Sequence, residues 1–317
     1  DSAYFEDLAT GLGSASQTHL RQRVDFEYFD STWSALLRLE DYQTLDDSLT
    51  AEERPYQRLP QVAVNGYWPN NPLGLEYRLQ SELTYFNRDI GTTGLRANLR
   101  PQIALPLRFG ALSLDSAAAF DYTAYSLDRT APGAAQSPSR SLPIYNISLS
   151  TLLERAWGKD GTLLQTIEPR LQFVHVPYEN QSDMPVFDTL QPEFDIVQLF
   201  RTNRYAGLDR LGDTNKLNIG ITTRLMRSAD GSQILTATVG ETRYFTAQDV
   251  TLPGEMPSDD STSDYIAELG MNINNRWNLD LGYQWDSDAN VTRMAEARVM
   301  YKPADNKIVN LSYRFRR

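Results

Sequence analysis

The chain has 317 residues, and its 41 acidic and 30 basic side chains give a formal net charge of −11 with histidine neutral. This acidic balance argues against a nucleic-acid partner, because contact with phosphate requires a basic surface. The absence of cysteine excludes disulfides, thiolate metal sites and a cysteine nucleophile within these residues. No apolar run reaches the ~18–20 residues of a membrane-spanning helix, so any membrane crossing would have to use strands.

Alternating apolar and polar residues predict strands along the whole chain. In residues 216–226, Leu217, Ile219 and Ile221 fall on one face, whereas Asn218 and Arg224 fall on the other. The same rule assigns Leu279, Leu281 and Leu311 to the apolar face and Asp280, Gln284 and Arg314 to the polar face. The fourteen predicted strands are 16–28, 32–42, 61–68, 73–86, 94–105, 112–125, 142–154, 163–178, 216–226, 234–246, 264–273, 277–286, 292–302 and 307–315.

Strand length and loop length favour a membrane wall. Most of the predicted strands exceed the ~5–6 residues common in soluble sheets and approach the ~9–11 residues that cross a bilayer. Shorter connections (29–31, 69–72, 106–111, 155–162, 227–233, 274–276 and 303–306) alternate with longer ones (43–60, 87–93, 126–141, 179–215, 247–263 and 287–291). Outer-membrane barrels sort their loops by length in this way. The predicted fold is therefore all-β, an antiparallel up-and-down transmembrane β-barrel wall.

The connection 179–215 is far longer than an ordinary loop and is the candidate functional segment. It contains Phe187, Phe194, Phe200 and Tyr205, so we expect it to be ordered and to fold into the barrel mouth. We also expect Arg201, Arg204 and Arg210 to pair with carboxylates of the loop or lumen. The predicted binding residues at this mouth are Arg170, Asp183, Arg201, Arg204, Asp209, Arg210 and Asp213.

Several short motifs in and around this connection carry a family resemblance. They include Glu168-Pro169-Arg170, Leu199-Phe200-Arg201, Asn203-Arg204-Tyr205 and the run GLDRLGDTN at 207–215. In this order they resemble the central segment of the LptD (OstA/Imp) family, the lipopolysaccharide-assembly proteins of Gram-negative outer membranes. Residues 1–7 and 309–315 also resemble internal pieces of that family's barrel, so the resemblance covers nearly the whole chain.

The resemblance implies a transport function in the cell outer membrane of a Gram-negative bacterium. Lipopolysaccharide would pass through a polar lumen and leave by a lateral gate, with no cofactor and no enzymatic step. The implied partners are lipopolysaccharide, the LptE lipoprotein plug, the periplasmic Lpt bridge through an N-terminal domain, and the Bam machinery for insertion. The family barrel has about 26 strands. We therefore expect residues 1–317 to form one partial barrel domain, without the N-terminal jellyroll and flanking strands, whose edge strands do not pair with each other.

Other functions remain open at this point. A porin or substrate-specific channel would use the same wall, and a soluble carbohydrate-binding β-sandwich would also alternate. Catalytic motifs are weak, because His19 and His175 are far apart and have no accompanying nucleophile or metal motif. Gly11 and Gly13 begin a dinucleotide-binding pattern, but Ser16 stands where the pattern requires its third glycine. Asp286, Asp288 and Asn290 begin a calcium loop that lacks its glycine and its final acid.

Overall fold

The computed structural model describes residues 18–46, 48–69, 71–273, 276–304 and 306–317, which form one antiparallel sheet. Its strands are β1 (His19–Phe29), β2 (Trp33–Thr44), β3 (Gln57–Trp68), β4 (Glu76–Asn87), β5 (Thr93–Phe109), β6 (Leu112–Asp128), β7 (Ser139–Thr151), β8 (Leu153–Trp157), β9 (Leu163–Val176), β10 (Thr214–Arg227), β11 (Gln233–Tyr244), β12 (Tyr265–Ile273), β13 (Trp277–Asp286), β14 (Val291–Ala304) and β15 (Lys307–Arg316). A 3₁₀ turn spans Lys159–Gly161, and one helix, α1, spans Ile196–Leu199. No helix in these described ranges is long and apolar enough to cross a membrane.

The sheet confirms the predicted up-and-down architecture. Each strand pairs with its sequence neighbours, and the only departure is β8, which pairs with β9 alone. In the described ranges a single sheet is present, with no second sheet packed against it. This arrangement rules out the two-sheet sandwich that the sequence left open.

The fourteen predicted strands become fifteen because one of them is interrupted. Ser150 of β7 pairs with Arg170, and Leu153 of β8 pairs with Ile167, so the register is the same on both sides of the break. Pro169 lies opposite the break, and proline has no N–H to donate to a neighbouring strand. β7 and β8 are therefore two parts of one interrupted strand.

Several strand boundaries differ from the prediction by three or four residues, and the start of β4 changes the loop pattern. β4 begins at Glu76 rather than 73, because the Asn71 side chain accepts hydrogen bonds from the backbone N–H of Leu73 (2.8 Å) and Leu75 (3.1 Å) and closes a turn. The turn 69–75 is consequently longer than the connection 88–92, and the predicted alternation of loop length is wrong at this place. Residues 1–17, which include the opening motif, Gly11, Gly13 and Ser16, lie outside the described residues.

The two edge strands do not pair with each other, as expected. Within the described ranges β1 pairs with β2 only, and β15 pairs with β14 only. The sheet is consequently an open wall rather than a closed barrel. The outward backbone groups of both edges have no partner in this part of the chain, and backbone groups facing lipid require one.

The sheet has one polar and one apolar face, with the predicted residues on each. Asn218 pairs in register with Gln172 and Thr242, and its side chain bonds to both of them on the inner face. Because alternate residues point in opposite directions, Leu217, Ile219 and Ile221 lie on the outer face. Arg224 lies on the inner face of the same strand as Asn218, and the registers of β11 to β15 place Asp280, Gln284 and Arg314 inside and Leu279, Leu281 and Leu311 outside.

The packed core lies against the inner face and is completed by the connection between β9 and β10. One cluster joins Phe86, Tyr125 and Leu127 of the wall to Met184 and Phe187 of that connection. A second cluster joins Ala119, Leu142, Ile144, Val174 and Val176 to Leu211. The wall alone has no second layer on its polar side, so the connection provides the buried apolar contacts.

Candidate functional site

Residues 177–213, here called the long loop, cross the inner face of the sheet. At one end of the crossing, Asp188 bonds to Arg96 of β5. At the other, Glu193 bonds to Arg314 and Arg316 of β15. The prediction of an ordered loop that folds inward is therefore confirmed.

The centre of the site is a buried arginine, Arg96, which is 1% exposed. Its Nη1 donates to Asp188 Oδ1 and to Asp209 Oδ1, both at 2.6 Å. Its Nη2 donates to Glu82 Oε1 at 2.7 Å and to Asp188 Oδ2 at 2.9 Å. The guanidinium also lies 4.7 Å from the centroid of the Phe86 ring. One wall cation thus binds three carboxylates, two of which belong to the long loop, and we call this group the Arg96 cluster.

Asp209 is fully buried and uses both carboxylate oxygens. Oδ1 accepts from Arg96 and from the Tyr125 hydroxyl (3.0 Å), and Oδ2 accepts from the backbone N–H of Phe187 (2.8 Å) and Asp188 (2.9 Å). Burial by itself would raise the pKa of Asp209, but the Arg96 charge and the two N–H donors outweigh it and hold that pKa below its usual value. Burial has the larger effect on Asp188, whose pKa is raised despite Arg96.

A second wall arginine, Arg140 of β7, fixes the loop beside this cluster. Its Nη1 donates to Gln181 Oε1 at 2.9 Å, and its Nη2 donates to Asp121 Oδ1 at 2.8 Å and to the Leu208 carbonyl at 3.2 Å. The Gln181 amide donates in turn to the Leu211 carbonyl at 2.8 Å. Arg140 therefore joins the two ends of the long loop to the wall.

The middle of the loop packs through α1. Asp195 caps this helix by accepting from the Gln198 N–H at 2.7 Å. Leu199 is fully buried, and the Phe200 ring lies against the Arg170 guanidinium at 4.2 Å. Gly220 of β10 and Gly240 of β11 provide the space for Leu199 and Phe200, because side chains at those positions would collide with them.

The end of the loop is joined to the connection 245–264, here called the β11–β12 loop. The Asp213 carboxylate accepts from the backbone N–H of Asp249 and Val250, both at 2.9 Å. Arg204 donates to Gln248 Oε1 at 2.5 Å and to the Val250 carbonyl, which also accepts from the Tyr205 hydroxyl at 2.8 Å. The two longest connections thus form one structure at the same rim.

The predicted carboxylate partners of three loop arginines are wrong. Arg201 donates to Gln198 Oε1, Arg204 donates to Gln248 and a carbonyl, and Arg210 donates to the carbonyls of Met184 and Pro185. In the described residues none of the three lies within 4.0 Å of a carboxylate. The charges are arranged the opposite way to the prediction: arginines of the wall bind carboxylates of the long loop. Burial lowers the pKa of Arg210.

The seven predicted site residues are therefore only partly brought together. Asp209 belongs to the Arg96 cluster, Arg210 lies next to it, and Asp213 and Arg204 join the two loops. Arg170 lies on β9 and contacts Ser148 (3.3 Å) and Phe200. Arg201 is near α1, and Asp183 is exposed. Whether these residues bind a ligand stays a prediction.

Sequence reasoning missed the wall residues Glu82, Arg96 and Arg140. Glu82 and Arg96 could have been found, because both occupy polar-face positions of predicted strands, whereas Arg140 falls in the predicted connection 126–141 and gave no such signal. The other candidate motifs have structural roles. Asp286 accepts from the backbone N–H of Asp288 and Ala289, and His175 stacks on Tyr145 with centroids 6.3 Å apart. The described ranges contain no group of three or more acidic or histidine residues able to hold a metal ion.

Comparisons with known proteins agree with this architecture. The family model for LPS transport system D matches residues 1–317. The LPS-assembly protein LptD of Nitrosococcus oceani is 37% identical over 322 residues, and those of Aromatoleum aromaticum and Pseudomonas aeruginosa are 34% and 31% identical over 325 and 373 residues. Each match covers 100% of this chain but only 43%, 40% and 40% of the respective relative, so the chain spans about two fifths of their length. The chain belongs to the LptD family.

Proposed function

We propose that the chain forms part of the wall of an outer-membrane barrel that delivers lipopolysaccharide to the outer leaflet of a Gram-negative bacterium. The observation that carries this proposal is the match of the family model to the whole chain. The two-faced sheet supports it, because an apolar outer face suits lipid and a polar inner face suits the sugars of a glycolipid. The relatives are named LPS-assembly proteins.

The proposal includes a route and partners. The sugars pass along the polar lumen, and the lipid leaves through a lateral gate between the first and last strands of the complete barrel. The proposed partners are the LptE lipoprotein in the lumen, the periplasmic Lpt bridge acting through an N-terminal domain, and the Bam machinery during insertion. The resemblance supports these assignments.

Depletion of the full-length protein in its own host tests the function. We expect newly made lipopolysaccharide, labelled metabolically, to fail to reach the surface and to accumulate in the inner membrane. The purified protein should also give little swelling of liposomes in small neutral sugars, because the long loop occupies the inner face. Normal surface lipopolysaccharide after depletion, together with rapid swelling, would support the porin alternative instead.

A further inference from the structure

A cavity of about 640 Å³ lies on the inner face between the long loop and the β11–β12 loop. Its lining includes Lys216 and Tyr244 of the wall, Phe194 and Tyr205 of the long loop, and Asp260 of the β11–β12 loop. The volume falls within the ~300–1,000 Å³ of small-molecule sites. Residues of the Arg96 cluster do not line it, so this cavity is separate from the ion pairs that dock the loop.

The most informative group in the lining is the buried ammonium of Lys216. This residue is 6% exposed and lies directly opposite Tyr244 on the neighbouring strand. Its Nζ donates to the Arg201 carbonyl at 3.1 Å, and in the described part of the chain no carboxylate lies within 4.0 Å of it. An ammonium has three N–H bonds, so two remain available for a ligand. A buried charge without a counter-ion is costly, which favours an anionic group at this position.

The remaining lining suits a polyhydroxylated molecule. The carboxylates of Asp260 and Asp264 each accept from a protein group, Ser258 and Gln284 respectively, and keep further lone pairs for hydroxyl donors. The rings of Phe194, Tyr205 and Tyr244 add flat apolar surfaces on which the C–H faces of a sugar can pack. The Tyr205 ring is held in place by its hydroxyl bond to Val250.

We propose that this cavity, the Lys216 cavity, binds a saccharide that carries a phosphate or carboxylate group, with Lys216 as the partner of that group. This inference rests on the proposed function and deepens it, since it names a chemical feature of the transported glycolipid that the wall would recognise. The aromatic rings and the acidic side chains bind the sugar, and the ammonium selects the anionic substituent. Neutral saccharides would lack this last interaction.

Binding to the full-length protein in detergent, measured by calorimetry, tests the proposal. The probes are trigalacturonate, a phosphorylated core oligosaccharide freed of its acyl chains, maltotriose and inorganic phosphate. The variants are Lys216→Met, Lys216→Arg and the control Lys159→Met, which makes the same change in an exposed turn away from the cavity. Heat-modifiable mobility on gels checks that each variant is folded.

We expect at least one anionic saccharide to bind, Lys216→Met to weaken it at least tenfold, and Lys216→Arg to weaken it less. Lys159→Met should leave binding unchanged. The proposal is overturned if no anionic saccharide binds, if Lys216→Met binds it as the natural protein does, or if maltotriose binds equally well. Inorganic phosphate binding as tightly as the saccharides would overturn the saccharide part. The binding assay reports on the Lys216 cavity alone, whereas the depletion experiment reports on lipopolysaccharide delivery. A failure of the cavity proposal is therefore distinguishable from a failure of the proposed function.

Discussion

Gly220 of β10 and Gly240 of β11 lie directly opposite each other on the inner face, and Leu199 and Phe200 of the long loop pack onto them. A Cβ on Gly220 would lie 2.8 Å from Phe200 Cζ. A Cβ on Gly240 would collide with Leu199 and lie 2.8 Å from the Ile219 carbonyl oxygen. Because glycine has no side chain, these two wall positions leave the space in which Leu199 and Phe200 pack.

Gly240→Ala should loosen the long loop. The added methyl overpacks the contact with Leu199, so we expect a loss of about 1–3 kcal/mol in loop docking and faster proteolysis within 194–201. Gly270→Ala is the matched control, because its nearest neighbour would be Asp280 Oδ1 at an ordinary 3.6 Å. Equal proteolysis rates of the two variants would contradict the proposed packing.

Arg96→Met should be the most damaging single change in the site. It leaves Glu82, Asp188 and Asp209 together without their common cation, so we expect a loss of about 3–5 kcal/mol in the free energy of unfolding. Arg108→Met removes an exposed pair with Asp115 and should cost only ~0–1 kcal/mol. Urea unfolding in lipid vesicles measures both, and a similar loss in both variants would show that the Arg96 cluster does not hold the loop.

Asp209→Asn and Asp188→Asn should differ in their effect on loop docking. The pKa of Asp209 is lowered, so its carboxylate stabilises the folded state above the usual value of 3.8, and this contribution is lost as the pH falls through the lowered pKa. The pKa of Asp188 is raised, so the stability linked to its proton is present below 3.8 and lost as the pH rises through the raised pKa. At neutral pH we expect Asp209→Asn to cost about 3 kcal/mol and Asp188→Asn under ~1 kcal/mol.

Protease protection of the long loop as a function of pH tests this assignment. The natural protein should keep its protection while Asp188 takes up a proton and lose it only as the pH falls through the lowered pKa of Asp209. Asp209→Asn should be less protected at neutral pH and should lack this acid transition. An unchanged transition in that variant would assign the transition to another carboxylate.

The two faces of β13 can be separated by one substitution at adjacent positions. Leu281→Arg places a charge on the apolar outer face and should cost roughly 2–4 kcal/mol in lipid vesicles. Asp280→Arg places the same residue on the inner face, where Asp280 is exposed, and should change stability by only ~0.5 kcal/mol. Equal costs would remove the distinction between the faces.

Much of the wall follows from the sequence alone. A period of two determines which residues share a face, and this rule by itself places Asn218 and Ile219 on the correct opposite faces. The rule fails where a local bond competes with the strand. Residues 73–75 continue the apolar and polar alternation of β4, but hydrogen bonds to the Asn71 side chain hold them in a turn. Pro169 interrupts the pairing of β9 with its neighbour without changing the register.

The partners of the charged residues in the site are decided only by the tertiary structure. The aromatic and charged content of 179–215 predicted an ordered, inward loop, but it could not assign partners, because arginine bonds carbonyls, amides and carboxylates alike. Which one it meets depends on the wall opposite. The carboxylates of Asp188, Asp209 and Asp121 bind the wall arginines Arg96 and Arg140. Arg204 and Arg210 donate to carbonyl groups instead. Strand periodicity is a local property of the backbone, whereas ion pairing across more than 90 residues exists only after the loop has packed.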